Sequence, residues 1–155
     1  MAHEDTIKNG RKSGAILNAI VAGVDQAAAI GSRDGADGWT TLEVLCHLRD
    51  YELLWQERVG LTIREETPKL PGFDVAGLVI SNDYINQDFA QILAERNALR
   101  ADSLALLATL DDATWDRTGI HPSRGEMSIA AQAQQLTNHD VDHIEQIARI
   151  LGKVS

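Results

Sequence analysis

Only one cysteine, Cys46, occurs in this chain of 155 residues, so no internal disulfide can form. That excludes a disulfide scaffold and fits a reducing, cytoplasmic compartment. Aromatic residues make up 5% of the chain, and runs of β-branched residues are scarce, which leans the reading toward helices. No window approaches eighteen continuous apolar residues, so the sequence offers nothing to span a bilayer. The opening stretch, MAHEDTIKNGRKSG, has mixed charge and no apolar segment behind it, so no secretory signal is expected. Positive charge is also in short supply. Fourteen Lys and Arg face 23 Asp and Glu, a net charge of −9 with no local basic cluster. Such a surface repels phosphate backbones and anionic lipid, which argues against nucleic-acid and membrane partners and leaves a small molecule as the expected one.

A length of 155 residues suits one domain, read as 1–155, that can bury roughly two-thirds of its unfolded surface. Four long periodic segments are separated by Gly-, Pro- and Asp-rich breaks. The first runs from about Glu4 to Ile30, with Leu17, Ile20, Val21, Val24 and Ala28 at helical spacing, and ends at GSRDGADG. The second starts with Thr40 as N-cap and Glu43 three residues on, a capping-box pattern with Trp39 as staple. It should run to about Arg64, with Val44, His47, Leu48, Tyr51 and Trp55 on one face, before Pro68 and Pro71-Gly72 stop it. A short turn or helix fits Phe73 to Ser81. The third segment repeats Ile85, Phe89, Ile92, Arg96, Leu99, Ser103, Leu106 and Leu110 every three or four residues. Asp111, Asp112 and Trp115 read as one capped turn, and Arg117 to Glu126 as an irregular loop. The last helix begins at Ser128 as N-cap and ends where Gly152 supplies the C′ residue. Four amphipathic helices without a strand signal predict an all-α four-helix bundle. The long 67–84 connection frees the helix order from a simple up-down pattern.

His139 and His143 stand four apart, so their side chains lie one turn above each other and can converge on one ion. Both fall on the apolar stripe between Leu136 and Ile147, where neutral imidazoles need partners. His47, on the inward face of the second helix, is the candidate third ligand. Three histidines without a fourth protein ligand suit a catalytic metal with an open position; the alternative is a set of satisfied core histidines. The paired Glu-x-x-His motifs of di-iron bundles are missing. Asp50, Asp140 and Asp142 are candidates to accept the other ring N–H of a ligand. Asp50, Tyr51 and His121 are the candidate catalytic residues: Asp50 or His121 as base, Tyr51 as hydrogen-bond donor into the site or as core packing. His121 would line the entrance or lie on the surface, and His3 would lie in a frayed terminus. Arg96, a lone charge on an apolar stripe, must be paired if buried; a structural ion pair is the favoured reading and anion recognition the alternative. Cys46 points about 100° away from His47 and reads as a small buried thiol.

The stretch GWTTLEVLCHLRDYE, a long middle helix, and then DDATWDRTGIHPSRGEMSIAAQAQQLTNHDVDHIEQI resemble the DinB-like (YfiT-like) family of metalloenzymes from about Trp39 to Ile150. The His-Leu of the second helix and the HDxxHIxQI pattern of the fourth carry most of the likeness. The resemblance implies a four-helix bundle, commonly dimeric, with a divalent metal on the residues matching the motifs, His47, His139 and His143. Zinc and nickel are the expected ions, since imidazole suits both. The better understood members join low-molecular-weight thiols such as bacillithiol to electrophiles, or isomerise with mycothiol. By that likeness the leading expectation is a thiol S-transferase with a thiol cosubstrate; the alternatives are a metal-dependent hydrolase and a non-enzymatic dimer with a structural metal.

Overall fold

A computed structural model describes residues 3–155. In chain order the elements are α1 (Glu4–Ile20), α2 (Gln26–Gly31), α3 (Thr41–Arg64), α4 (Val75–Ser81), a 3₁₀ turn (Tyr84–Asn86), α5 (Phe89–Ala108), α6 (Asp112–Trp115), β1 (Thr118–His121), β2 (Gly125–Ser128) and α7 (Ile129–Ile150). The four long helices α1, α3, α5 and α7 form a four-helix bundle. No described helix is long and apolar enough to cross a membrane.

Local chemistry sets the boundaries that position the site. The Thr40 hydroxyl accepts from the Glu43 N–H at 3.2 Å while the Glu43 carboxylate accepts from the Thr40 N–H at 2.8 Å, so the capping box starts α3 seven residues before His47. Ser128 caps α7 by accepting from the Ala131 N–H, and Gly152 follows the last turn with φ of +69°. The carbonyls near the end of α3 are taken by Arg117, which donates to Thr62 O at 2.8 Å and Glu65 O at 2.6 Å.

α1 packs on α5 and α7, and α3 packs on the same two, so the first two long helices sit diagonally across the bundle. The apolar interior is split into two clusters. One takes Leu17, Leu42, Leu45, Ile92 and Ile147; the other takes Tyr51, Trp55, Leu107, Ile129 and Leu136, with Ile7 packed against it. α3 and α5 therefore both run from the first cluster to the second, and α1 and α7 both run the opposite way. Neighbouring helices are parallel in these two pairs, and the long connection before α5 is what returns the chain to the end from which α3 began.

Between the two clusters lies a buried polar layer to which every long helix contributes, α5 twice. Asp140 of α7 accepts from Ser13 of α1 at 2.6 Å and from Arg96 and Arg100 of α5 at 2.9 and 2.6 Å. Glu52 of α3 accepts from Arg100 Nη2 at 2.6 Å and Nε at 3.0 Å. Arg96, Glu52 and Asp140 are essentially sealed from water. The ion pair demanded by Arg96 is present, and both charges of each sign are balanced within the layer.

Three expectations from the sequence are corrected. The first segment is not one helix: α1 stops at Ile20 and α2 restarts at Gln26, with Gly23 at φ +78° between them and Asp25 capping the restart by accepting from Ala28 N–H. Apolar spacing ran on through the break, yet Ala29 rather than Ala28 is buried. Ile85 does not join the third stripe; it is 53% exposed on the 3₁₀ turn, and α5 begins behind the Asp88 cap. The 117–126 segment is not irregular: β1 and β2 form an antiparallel hairpin pairing Thr118 with Ser128 and His121 with Gly125. Ile120 also pairs with the connection after α3, donating to Pro68 O at 2.7 Å and accepting from Leu70 N at 2.9 Å.

Candidate metal centre

His47 on α3 meets His139 and His143 on α7, and one nitrogen of each ring lies within 4.8 Å of those of the other two. The Nε2 atoms of His47 and His139 are 2.9 Å apart, and the three ring centroids are 4.5 to 4.9 Å from one another. Tetrahedral ligand nitrogens about 2.0–2.1 Å from zinc stand about 3.3 Å apart, so only a few tenths of an ångström separate this pair from a ligand spacing. The protonation state fits as well. Burial, followed by the nearby His143, lowers the His47 pKa to about 4. Burial, then His143 and His47, lowers that of His139 to about 3. Both rings are neutral at pH 7, the form that ligates a metal. Inside the chain they are poorly satisfied: His47 Nδ1 and His139 Nδ1 are buried without a hydrogen-bond partner, and the two Nε2 atoms have only each other. The donor set and its crowding fit one divalent ion.

The surrounding walls are largely aromatic. Tyr51 stacks on His139 with centroids 3.7 Å apart, while Trp39 and Phe73 approach His47 at 5.1 and 5.3 Å. Tyr51 itself is 6% exposed, and burial raises its pKa, so its hydroxyl keeps its proton at neutral pH. A cleft of about 310 Å³ reaches His139 along α7 from the hairpin, lined by Arg124, Met127, Gln135, Asn138 and Asp142 among others. The largest cleft, about 600 Å³, runs along Arg49, Asp50, Leu53, Glu95 and Leu99 and contains none of the three histidines. The smaller cleft is the one that touches a histidine of the cluster, His139.

His143 has the most defined surroundings. Its Nδ1 lies 2.7 Å from Gln146 Oε1, and Gln146 Nε2 donates to Asp34 Oδ2 at 3.0 Å. A carboxylate is acceptor-only, so the amide must turn its NH₂ to Asp34 and its oxygen to His143. His143 therefore donates from Nδ1, which leaves Nε2 as its nitrogen for a metal. Asp34 is in turn paired with Arg149 and accepts no other described side chain beyond these two. Gln146 and Asp34 are functional neighbours that the sequence reading missed. Gln146 was findable, because it sits one turn past His143 on the same helix face; Asp34, 112 residues away from Gln146, carried no signal.

The remaining candidates fall elsewhere. Asp50 does not face the histidines: its carboxylate accepts from Tyr84 O–H at 2.5 Å, Asn82 at 2.9 Å and Arg49 Nε at 2.7 Å. Asp140 belongs to the buried ionic layer, and Asp142 lines the cleft beside His139. His121 is 8% exposed, neither a surface residue nor in ring contact with the three histidines; its Nε2 is 3.1 Å from Arg58 Nη1. Burial, then Arg58 and Arg124, lowers its pKa. His3 is not frayed but stacks on Trp115 at 4.2 Å. Cys46 is buried, as expected, with its thiol pushed up to about 12 by burial.

Residues 12–147 match the sequence profile of the DinB superfamily. The chain belongs to the DinB superfamily. It is 32% identical over 124 residues to YfiT of Bacillus subtilis strain 168, covering 77% of this chain and 68% of that one. It is 24% identical over 123 residues to OB0413 of Oceanobacillus iheyensis, covering 79% and 69%. Both relatives are named, provisionally, as metal-dependent hydrolases. The solved structure of YfiT, described as a four-helix bundle of unusual topology, superposes with a TM-score of 0.79 over 96% of this chain and 87% of that one, at 24% identity. The DinB fold is thus shared, parallel neighbours and all, and the three histidines lie on two of its long helices.

Proposed function

We propose that this chain is a metal-dependent hydrolase that holds one divalent ion on His47, His139 and His143, leaving a coordination position free for the reacting molecule. The observation that carries the reading is the convergence of one nitrogen from each of three imidazoles within 4.8 Å, with none of the described carboxylates bonded to them. A divalent ion there supplies Lewis acidity, lowering the pKa of a nucleophile that joins it and polarising a carbonyl or ester oxygen. The chain's own residues do the rest. Burial keeps His47 and His139 unprotonated, Gln146 accepts from Nδ1 of His143 and leaves its Nε2 for the ion, and the Tyr51 ring stacks on His139. Tyr51 retains its proton and can donate to a developing negative charge, while Asp142 is the carboxylate on the cleft leading to His139. Asp50, engaged by three donors, is not used as the base.

Water as the nucleophile is favoured by the names of the relatives, which point to hydrolysis. Thiol S-transfer is the competing reading, since a thiol can occupy the same free position and be activated in the same way. Metal content by mass spectrometry on untagged protein tests the common core: about one ion per chain, lost in His47→Ala, His139→Ala and His143→Ala. The metal-loaded protein is then assayed on an ester and amide panel and on thiols paired with electrophiles. Chelator-sensitive ester cleavage supports the hydrolase. Thiol consumption abolished by His143→Ala, without ester cleavage, replaces it with the transferase. Wild-type protein that refuses zinc and nickel overturns both.

A further inference from the structure

Asp34 lies in the loop between α2 and α3, far in sequence from His143, yet it is two hydrogen bonds away from it. We infer that Asp34 is a positioning residue for the metal centre, acting through Gln146 to hold His143 in the tautomer that ligates through Nε2; the inference rests on the proposed three-histidine site. An amide side chain can turn either its oxygen or its NH₂ toward a neighbour, and a neutral imidazole can offer either a proton or a lone pair at Nδ1. Left alone, the Gln146–His143 pair is satisfied in two ways: oxygen toward Nδ1–H, or NH₂ toward a bare Nδ1. The second way puts the ring proton on Nε2 and removes the ligand. Asp34 breaks this symmetry because its carboxylate accepts only. With Gln146 Nε2 donating to Asp34 Oδ2 at 3.0 Å, only Oε1 remains for His143, at 2.7 Å.

The loop has further ties to the bundle beside the bond to Gln146. Arg149, one turn beyond Glu145 on α7, pairs with the other carboxylate oxygen of Asp34, and Asp34 N donates to Trp39 O at 2.9 Å. Trp39 packs its ring 5.1 Å from that of His47. The same short loop therefore orients one ligand through Asp34 and walls another through Trp39.

Asp34→Asn tests the inference with almost no change in shape: an amide at 34 can accept or donate, so the orientation of Gln146 is no longer dictated. Gln146→Leu removes the acceptor altogether. Two readouts are taken on the full chain. In the metal-free protein at pH 8, long-range proton–nitrogen NMR reports which nitrogen of His143 carries the proton. Zinc affinity is measured by competition with a chromophoric chelator. Wild type is expected to show the Nδ1–H form. Both variants are expected to show a mixture or the Nε2–H form, and to bind zinc at least tenfold more weakly, the range in which partners of metal-bound histidines act. Arg149→Met removes the ion pair of Asp34 but not the hydrogen bond to Gln146, so it should leave the tautomer unchanged. The inference is overturned if folded Asp34→Asn and Gln146→Leu keep the Nδ1–H form, or if Arg149→Met reproduces their effects. Should wild type bind no zinc, the metal reading fails while the tautomer measurement still decides the role of Asp34.

Discussion

Removing the carboxylate of Asp140 should be among the most damaging single changes in this protein, although it touches no histidine ring of the proposed site. Asp140 is 1% exposed and accepts from Ser13, Arg96 and Arg100. Burial alone pushes its carboxyl pKa up, but Arg100 and Arg96 outweigh burial and the net shift is downward, so the group is ionised. In Asp140→Ala, Arg100 keeps Glu52, whereas Arg96 loses its one hydrogen-bonded partner among the described residues, where its Nε and Nη1 already have none. A guanidinium that is 0% exposed then has no counter-charge and no hydrogen bond. Orphaning a buried ion in this way costs about 3–5 kcal/mol. Against a total stability of roughly 5–15 kcal/mol and a urea slope of about 2 kcal/mol per molar, the unfolding midpoint should fall by roughly 2 M. The assay is urea unfolding followed by circular dichroism, with Asp140→Ala, Arg96→Met and the double variant compared. The double variant should be less destabilised than the sum of the singles, because deleting Arg96 removes the charge that Asp140→Ala strands. A loss below 1 kcal/mol in Asp140→Ala, or strict additivity, would refute the reasoning.

The metal-free protein should be sensitive to mild acid. His47 and His139 take up protons in the unfolded chain below about pH 6.5 but in the folded chain only near 4 and 3, so the unfolded state binds more protons between these values. Stability should be flat above about pH 7 and fall by up to roughly 2.7 kcal/mol per pH unit as the pH drops from 6.5 toward 4; urea midpoints that do not move between pH 7 and 5 would contradict this. Zinc at about 100 times its Kd should raise Tm by roughly 5–10 °C in wild type and not in His47→Ala, as seen by scanning calorimetry. Cys46, fully buried and with its thiol held up near about 12, should react with thiol reagents in urea but not within minutes in the native state; prompt native labelling would show that the packing between α3 and the 3₁₀ turn is open.

Features governed by neighbours in the chain could be read from the chain. The Thr40–Glu43 capping box, the Ser128 cap and the His139–His143 pair each depend on residues three or four apart, whose relative positions a helix dictates. The hairpin was missed although Gly125, in the left-handed region after Pro122-Ser123-Arg124, is a turn signal. Its strands, TGIH and GEMS, have only four residues each and little β-branching to announce them. The break at Val21–Asp25 was hidden for the opposite reason, since apolar residues keep helical spacing across it.

Arg96 shows where local reasoning ends. That a buried guanidinium needs an acid follows from electrostatics alone, but that the acid is Asp140, on a helix 44 residues further on, follows only from how α5 and α7 pack. The same packing sends Asp140 into the ionic layer and Asp142 to the cleft, two positions apart on one helix, and turns Asp50 away toward Tyr84. By itself the sequence determined the helices, the inward histidines and the family likeness, because periodicity and capping act within a few residues. Tertiary structure alone decided which groups face each histidine. Donor and acceptor identity is written in each residue, but the partner it meets depends on helix order and crossing, and those are set by the burial of every apolar face at once.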